Sequence, residues 1–280
     1  MKKLIKSIFK NLAKFIVFFL NKFNWGFYFL EHLNKSIVNI EDSITEKSLK
    51  LKFLTPNRVN KYRVNTFFTK EPETLEWINT FDENSVFFDI GANVGLYSCY
   101  AAKKKKCKVF AFEPSVFNLE ILTKNVYINS LSDRITVIST PVTNETKISE
   151  FNMSSTESGA ACSTFGESYT YDGSEIKKIF LYNTPGSSMD QLSNFFNLSK
   201  PKYIKIDVDG IEHLIIDGAN DILDKTTSIL IEVDKNFELQ EKKIKEKLEK
   251  KGFFLKQKHK STLTSNKKLQ NMYNQIWVRE

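Results

Sequence analysis

The chain has 280 residues, 41% apolar and 26% charged, which is enough to bury a sizeable core and excludes a disordered chain. Its formal charge of +8 comes mostly from lysine in the first 24 residues, at Lys103 to Lys106 and beyond residue 240. Three scattered cysteines (Cys99, Cys107, Cys162) and three scattered histidines (His32, His213, His259) exclude a disulfide framework and a zinc-finger spacing and fit a reducing cytoplasm; with no nucleic-acid-binding motif beside the lysines, no nucleic-acid partner is expected.

Residues 1–24 hold six lysines and no acid. On a helix, Leu4, Ile5, Ile8, Phe9, Leu12, Phe15, Ile16 and Phe19 fall on one side and Lys3, Lys6, Lys10 and Lys14 on the other, a basic amphipathic helix. The longest unbroken apolar run, Phe15 to Leu20, is far short of the roughly 20 residues a membrane span needs, and no small-residue cleavage site follows it. Two readings stay open: a helix lying on an anionic membrane surface, at the cytoplasmic face, or a helix packed on its own domain or on a partner subunit in an oligomer. Residues 25–70 read as further helix and a short strand or two. With 1–24 they form an appendage, 1–70, ahead of a catalytic unit over 71–280. A helix over Glu71 to Phe81, with Pro72 near its start, leads into that unit.

The stretch Val86 to Glu113 organises the rest. Val86, Phe87 and Phe88 read as a buried strand ending on Asp89. A turn follows with Gly91, Asn93 and Gly95, residues that accept positive φ or let a ligand approach the backbone, and Leu96 opens a helix. A second strand, Lys108 to Phe112, ends on Glu113. In an open parallel sheet, ligands bind beyond the carboxyl ends of the strands, and an acid ending the second strand can take both hydroxyls of a ribose. The turn is not the G-x-G-x-x-G of a pyrophosphate site, and the acid beside it suits a cationic ligand; S-adenosylmethionine, with an ammonium, a sulfonium and no phosphate, fits.

A helix after Pro114 and a third strand over Ile135 to Ser139 continue the strand–helix alternation of a doubly wound sheet. Residues 140–185, rich in Ser, Thr, Gly and Tyr, break it and predict a hairpin-like insertion over the substrate side; Tyr169, Tyr171 and Tyr182 there are sugar-stacking candidates, though hairpin tyrosines more commonly pack. A serine-capped helix over 187–196 precedes a strand in which Lys205, Asp207 and Asp209 alternate with Ile204, Ile206 and Val208. Charges on a central strand must be paired or used. Glu212 and His213 open the next helix, and further strands at 228–233, 252–255 and 275–278 complete a seven-stranded sheet with an antiparallel edge.

The segments VFFDIGANVGLYS (86–98), FEPSVFNLEILTKN (112–125), SMDQL (188–192), YIKIDVDGIEHLIIDGA (203–219), ILIEV (229–233) and NQIWVR (274–279) resemble, in content and order, the FkbM family of S-adenosylmethionine-dependent methyltransferases. The resemblance covers about residues 70–280. It implies an α/β class I methyltransferase fold, S-adenosylmethionine as cofactor, and methyl transfer to an oxygen of a saccharide, glycolipid precursor or similar small molecule. The family commonly has Glu where this chain has Asp209, which keeps the charge and shortens the reach by a methylene. Asp89, Gly91, Asn93, Gly95 and Glu113 are the cofactor candidates. Asp207, Asp209, Glu212 and His213 are the candidates for orienting or deprotonating the acceptor, His213 having the most suitable solution pKa. Asp207, Asp209 and Glu232 would also be Mg²⁺ ligands in type, but one carboxylate pairing with Lys205 and another capping a helix is the favoured reading, so no metal is expected. The competing classes are a non-catalytic membrane-surface or scaffold protein on a degenerate nucleotide fold, and an NAD(P)-dependent oxidoreductase, for which no G-x-G-x-x-G is found.

Overall fold

Seven strands form one sheet: β1 (Val86–Ile90), β2 (Lys108–Phe112), β3 (Ile135–Ile138), β4 (Tyr203–Ile206), β5 (Ser228–Asp234), β6 (Phe254–Lys260) and β7 (Met272–Val278), numbering the strands of this sheet alone. The structure, a computed structural model, describes residues 2–23, 25–38, 41–46, 49–260 and 271–279. Strand order is β6-β7-β5-β4-β1-β2-β3, parallel among β5, β4, β1, β2 and β3, with β7 antiparallel to both its neighbours. The chain runs outward from β1 through β2 to β3 and then returns to β4 on the other side of β1. That reversal opens a crevice at the carboxyl ends of β1 and β4, where open α/β sheets bind ligands.

Strands buried on both faces read as continuous apolar runs, and these do. Phe87, Val109, Ala111, Ile135 and Leu230 pack into one core; Phe88, Phe110, Phe112, Ile204 and Ile231 pack into the other. Trp77 and Phe81, at and just beyond the end of helix Pro72–Asn79, close the first core from below, with Phe81 stacked on Tyr203 at 3.8 Å between ring centres. Pro72 stands in the first helical turn, where its missing N–H leaves nothing unpaired.

Two departures from expectation have simple causes. The strand Leu49–Leu54 pairs with Glu41–Glu46 and packs into the same core as β1 and β2, although it lies within the 1–70 segment that the sequence reads as an appendage. Its alternation buries Leu49, Leu51 and Phe53, and the Asn125 and Asn129 side chains accept from the Leu54 and Lys52 amides at 2.9 Å. The insertion is a four-stranded sheet rather than a single hairpin: Lys147–Met153 lies between Phe180–Ser188 and Ser163–Phe165, and Val142–Thr143 adds to the far side of Phe180–Ser188. Two of its tyrosines are packing residues. The Tyr182 hydroxyl donates to the Pro114 carbonyl at 2.7 Å, and Tyr169 meets the Phe237 ring edge-on at 5.3 Å.

At the amino end, Lys2–Lys22 and Gly26–Val38 are helices. Ile8, Phe9, Leu12 and Phe15 are all at least half exposed, so the apolar side of the first helix is not covered by its own domain. The side chains of Lys3 and Leu4 lie outside the described residues. No described helix is long and apolar enough to cross a membrane.

Candidate active site

The cleft begins at the turn after β1. Gly91 has φ +82°, and a Cβ there would lie 1.9 Å from the Asp207 carbonyl oxygen, so only glycine lets β1 and the end of β4 close on each other. Asn93 also adopts positive φ, and its amide donates to Glu113 Oε2 at 2.7 Å. The other Glu113 oxygen accepts from the Ser115 amide at 2.9 Å and from Asn118 Nδ2 at 3.3 Å. Burial pushes the Glu113 carboxyl up to about 7 against these hydrogen bonds. Gly91, Asn93, Glu113, Asn118, Asp207 and Asp209 all border one cleft of roughly 570 Å³ of open volume.

A second hollow of roughly 480 Å³ shares Gly91, Asn93 and Asp207 with the first and continues past Arg63, Lys70 and Lys205. The two are lobes of one groove: an apolar and acidic lobe walled by Phe112, Pro114 and Val142, and a lobe lined by Arg63, Lys70 and Lys205 together with Glu71. Beneath the groove lies a buried polar layer. Lys205, only 2% exposed, donates to Asp207 Oδ2 at 2.7 Å, sits 5.2 Å from the centre of the Tyr97 ring, and stands opposite Asp89 in the β1–β4 register. The Tyr97 hydroxyl donates to Glu71 at 2.9 Å, and Glu71 pairs with Lys70 at 2.6 Å. Of the alternating charges read on this strand, Lys205 and Asp207 are paired, as a buried lysine requires, while Asp207 and Asp209 fall in the loop beyond the end of β4.

The sequence candidates separate by position. Gly91, Asn93, Glu113, Asp207 and Asp209 reach the groove. Asp89 does not line it: its carboxylate lies under the turn, 1% exposed, taking the Ser98 hydroxyl at 2.5 Å on one oxygen while the other has no hydrogen-bond partner. Burial raises its pKa, and Lys205 and Ser98 pull it back. Gly95 does not line the groove either; it caps helix Leu96–Lys105 at φ +81°, where a Cβ would meet Leu122 Cδ1 at 2.3 Å. Glu212 is turned inward. It accepts from the Val208 and Gly210 amides at 3.1 to 3.2 Å and from Gln240 Nε2 at 2.6 Å, and so fixes the loop that carries Asp207 and Asp209. His213 packs against Phe237 outside the groove, its Nδ1 buried without a partner, and burial and then Lys243 lower its pKa to about 4. Its solution pKa suggested a base; a neutral, desolvated ring away from the groove is what the fold makes of it.

The two remaining acids differ in basicity. Burial would raise Asp207, but the charges of Lys205 and Lys70 override it and hold the carboxyl down to about 2. At Asp209, burial and then the Asp207 charge raise the carboxyl to about 6, against hydrogen bonds from the Cys162 and Ser163 amides, the former at 2.6 Å. Asp209 holds φ +64° beside Gly210 at +134°, a strained pair of the sort concentrated at functional sites. Glu232 is driven well above the usual carboxylate range by burial and then by Asp207 and Glu71. No three His, Cys, Asp or Glu side chains among the described residues gather closely enough to hold a metal.

Within the 140–185 insertion expected over the substrate side, residues 158–163 form a strap on the groove, and sequence reasoning missed its anchors. Arg63 Nε donates to the Gly159 carbonyl at 2.6 Å, Asn93 Nδ2 to the Ala160 carbonyl at 2.8 Å, and the Gly159 amide to Asn118 Oδ1 at 2.7 Å. Asn118 stood in a quoted motif and could have been found there; Arg63 and Lys70 lie in a stretch with no motif and reach the groove only through the fold.

The raised acids make stability depend on pH. Between about pH 4.5 and 7 the folded chain holds protons on Glu113, Glu212 and Asp209 that the unfolded chain has released, so stability falls as pH rises through that window. The depressed Asp207 acts oppositely, losing its stabilisation as pH falls toward 2. Urea unfolding should therefore show greatest stability near about pH 4, between the two limbs. Glu212→Gln should remove part of the loss at pH 8, up to about 3 kcal/mol, and identical pH slopes for variant and parent would contradict the assignment.

The family model for the methyltransferase FkbM domain matches residues 89–255. The chain is 28% identical over 152 residues to the hexuronic acid methyltransferase AglP of Haloferax volcanii, covering 54% of this chain and 57% of that protein. It is 32% identical over 65 residues to a tRNA (guanine(37)-N(1))-methyltransferase of Dictyostelium discoideum, covering 23% of this chain and 14% of that one. Thus the match spans little more than half of the first curated relative and a small part of the second. Among solved structures, the precorrin-6y C5,15-methyltransferase of Geobacter metallireducens aligns with TM-score 0.43 at 14% identity, covering 87% of this chain and 99% of that one. With the domain matched over more than half its length, the chain belongs to the FkbM family of methyltransferases.

Proposed function

We propose that the protein transfers a methyl group from S-adenosylmethionine to a hydroxyl of a saccharide or glycolipid precursor. The observation that carries this reading is the groove at the β1–β4 switch point, with an acid that can take two ribose hydroxyls in one lobe and Arg63, Lys70 and Lys205 lining the other. S-adenosylmethionine, when bound, supplies an electrophilic methyl group on a sulfonium. Its distribution of charge fits the groove: Glu113 would hold the ribose, Arg63 and Lys70 would hold the carboxylate, and Asp207 would keep negative charge between them. The cradle that a Cβ at Gly91 would fill supports the same fit.

The chain's own work is alignment, exclusion of water and removal of a proton. The strap at 158–163 shields the groove, held down by Arg63, Asn93 and Asn118. Asp207 is too weak a base and serves to orient, while Asp209, at about 6, accepts the proton of the acceptor hydroxyl. Glu113 gives a pH signature. As it protonates below about 7 it loses acceptor capacity, so donor affinity falls from pH 8 to pH 6. In Glu113→Gln the affinity should be weaker throughout and flat with pH, by titration calorimetry; a parent already flat over that range would remove Glu113 from the ribose.

The similarity to the hexuronic acid methyltransferase of Haloferax volcanii supports a saccharide acceptor. The test is incubation with labelled methyl donor and a panel of uronic-acid glycosides, sugar nucleotides, lipid-linked sugars and tRNA. Label should enter a saccharide as an alkali-stable ether. Alkali-labile label, meaning a carboxyl ester, or label in tRNA alone would overturn the acceptor assignment.

A further inference from the structure

We infer that the two amino-terminal helices form an arm that docks on an anionic lipid bilayer, lying in its surface rather than crossing it. Their apolar sides are bare: Phe15 is 61% exposed, Trp25 62% and Phe27 82%, far more contiguous apolar surface than a monomer keeps without use. Phe15, Phe19, Phe23 and Trp25 form a ladder with ring centres 5.4 to 5.6 Å apart, and the Trp25 amide donates to the Leu20 carbonyl at 3.0 Å, carrying the aromatic edge from one helix to the next. Aromatic rings at this density suit the headgroup boundary of a bilayer.

Charge selects the occupant. Lys6, Lys10 and Lys14 follow one another at i, i+4 on the opposite side of the helix, and no acid occurs before Glu31. Like charges at that spacing destabilise a helix in water, and the first helix contains no acid to offset them. Anionic headgroups do so while the apolar side enters the acyl boundary. A second copy of the chain would cover the apolar side equally well but would leave the lysine row uncompensated, so the bilayer is the better complement.

The contact needs no methyl donor, and its test is separate from that of the catalytic reading. The full-length protein is sedimented with vesicles of phosphatidylcholine alone or of phosphatidylcholine mixed with phosphatidylglycerol, and its oligomeric state is measured without vesicles. The protein should pellet with the anionic vesicles only and be released by salt. Lys6→Glu/Lys10→Glu/Lys14→Glu should lose at least about 100-fold in vesicle affinity, and Phe15→Ser/Phe19→Ser should lose pelleting while keeping the thermal midpoint of the catalytic domain. Equal pelleting by the charge-reversed protein, absence of pelleting by the parent, or a dimer abolished by the aromatic substitutions in a protein that ignores vesicles would overturn the inference, the last in favour of a second copy.

Discussion

Gly91→Ala is expected to destabilise the fold by about 3 kcal/mol and to weaken donor binding by two orders of magnitude or more. The new Cβ would lie 1.9 Å from the Asp207 carbonyl oxygen and 2.8 Å from its carbon, both backbone atoms of an adjoining strand end that cannot move without shifting Asp207 and Asp209. To that is added the strain of an L side chain at φ +82°. Gly95→Ala is the matched control. It has the same sign of φ, but its Cβ would press on the tip of Leu122, and Gly95 does not border the groove. Urea unfolding and titration calorimetry on the pair should show loss of stability in both and loss of donor binding in Gly91→Ala alone. Equal donor binding by the two would mean that the turn does not seat the donor.

Asp209→Asn should lower kcat by about 10² to 10⁴ with donor affinity little changed, because the amide still accepts from the Cys162 amide but cannot take a proton. In the parent, kcat/KM should fall below about pH 6 as the carboxyl protonates, and that limb should vanish in the variant. His213→Ala should leave turnover close to the parent's, since the ring packs on Phe237 outside the groove. Reversal of these two results would return the base to His213.

The parallel sheet and the groove acids were legible because their chemistry is local. In an open α/β sheet the ligand site falls where strands end, and the residues that end a strand follow it directly in sequence, so Gly91, Asn93, Glu113, Asp207 and Asp209 could be read in place. What failed was side-chain direction. Asp89 is the fourth residue of β1, and its alternation turns it to the face shared by Phe87 and Tyr203, under the turn. Glu212 and His213 open a helix, where one residue's shift in phase decides between groove and core. The strand Leu49–Leu54 has a plain period-2 pattern, but its docking on helix Val116–Ile128 depends on Asn125 and Asn129, more than 70 residues away. The strap and its anchor Arg63 are likewise tertiary, joined by contacts that no local pattern records.

Titration of the purified full-length protein with S-adenosylmethionine at pH 8, beside Glu113→Gln under the same conditions, bears most directly on the groove as a methyl-donor site. The expected result is one-to-one binding by the parent, competed by S-adenosylhomocysteine and weakened on the order of 100-fold in the variant by loss of charge-assisted hydrogen bonds to the ribose. No heat of binding at millimolar donor, or equal affinity in parent and variant, would contradict it.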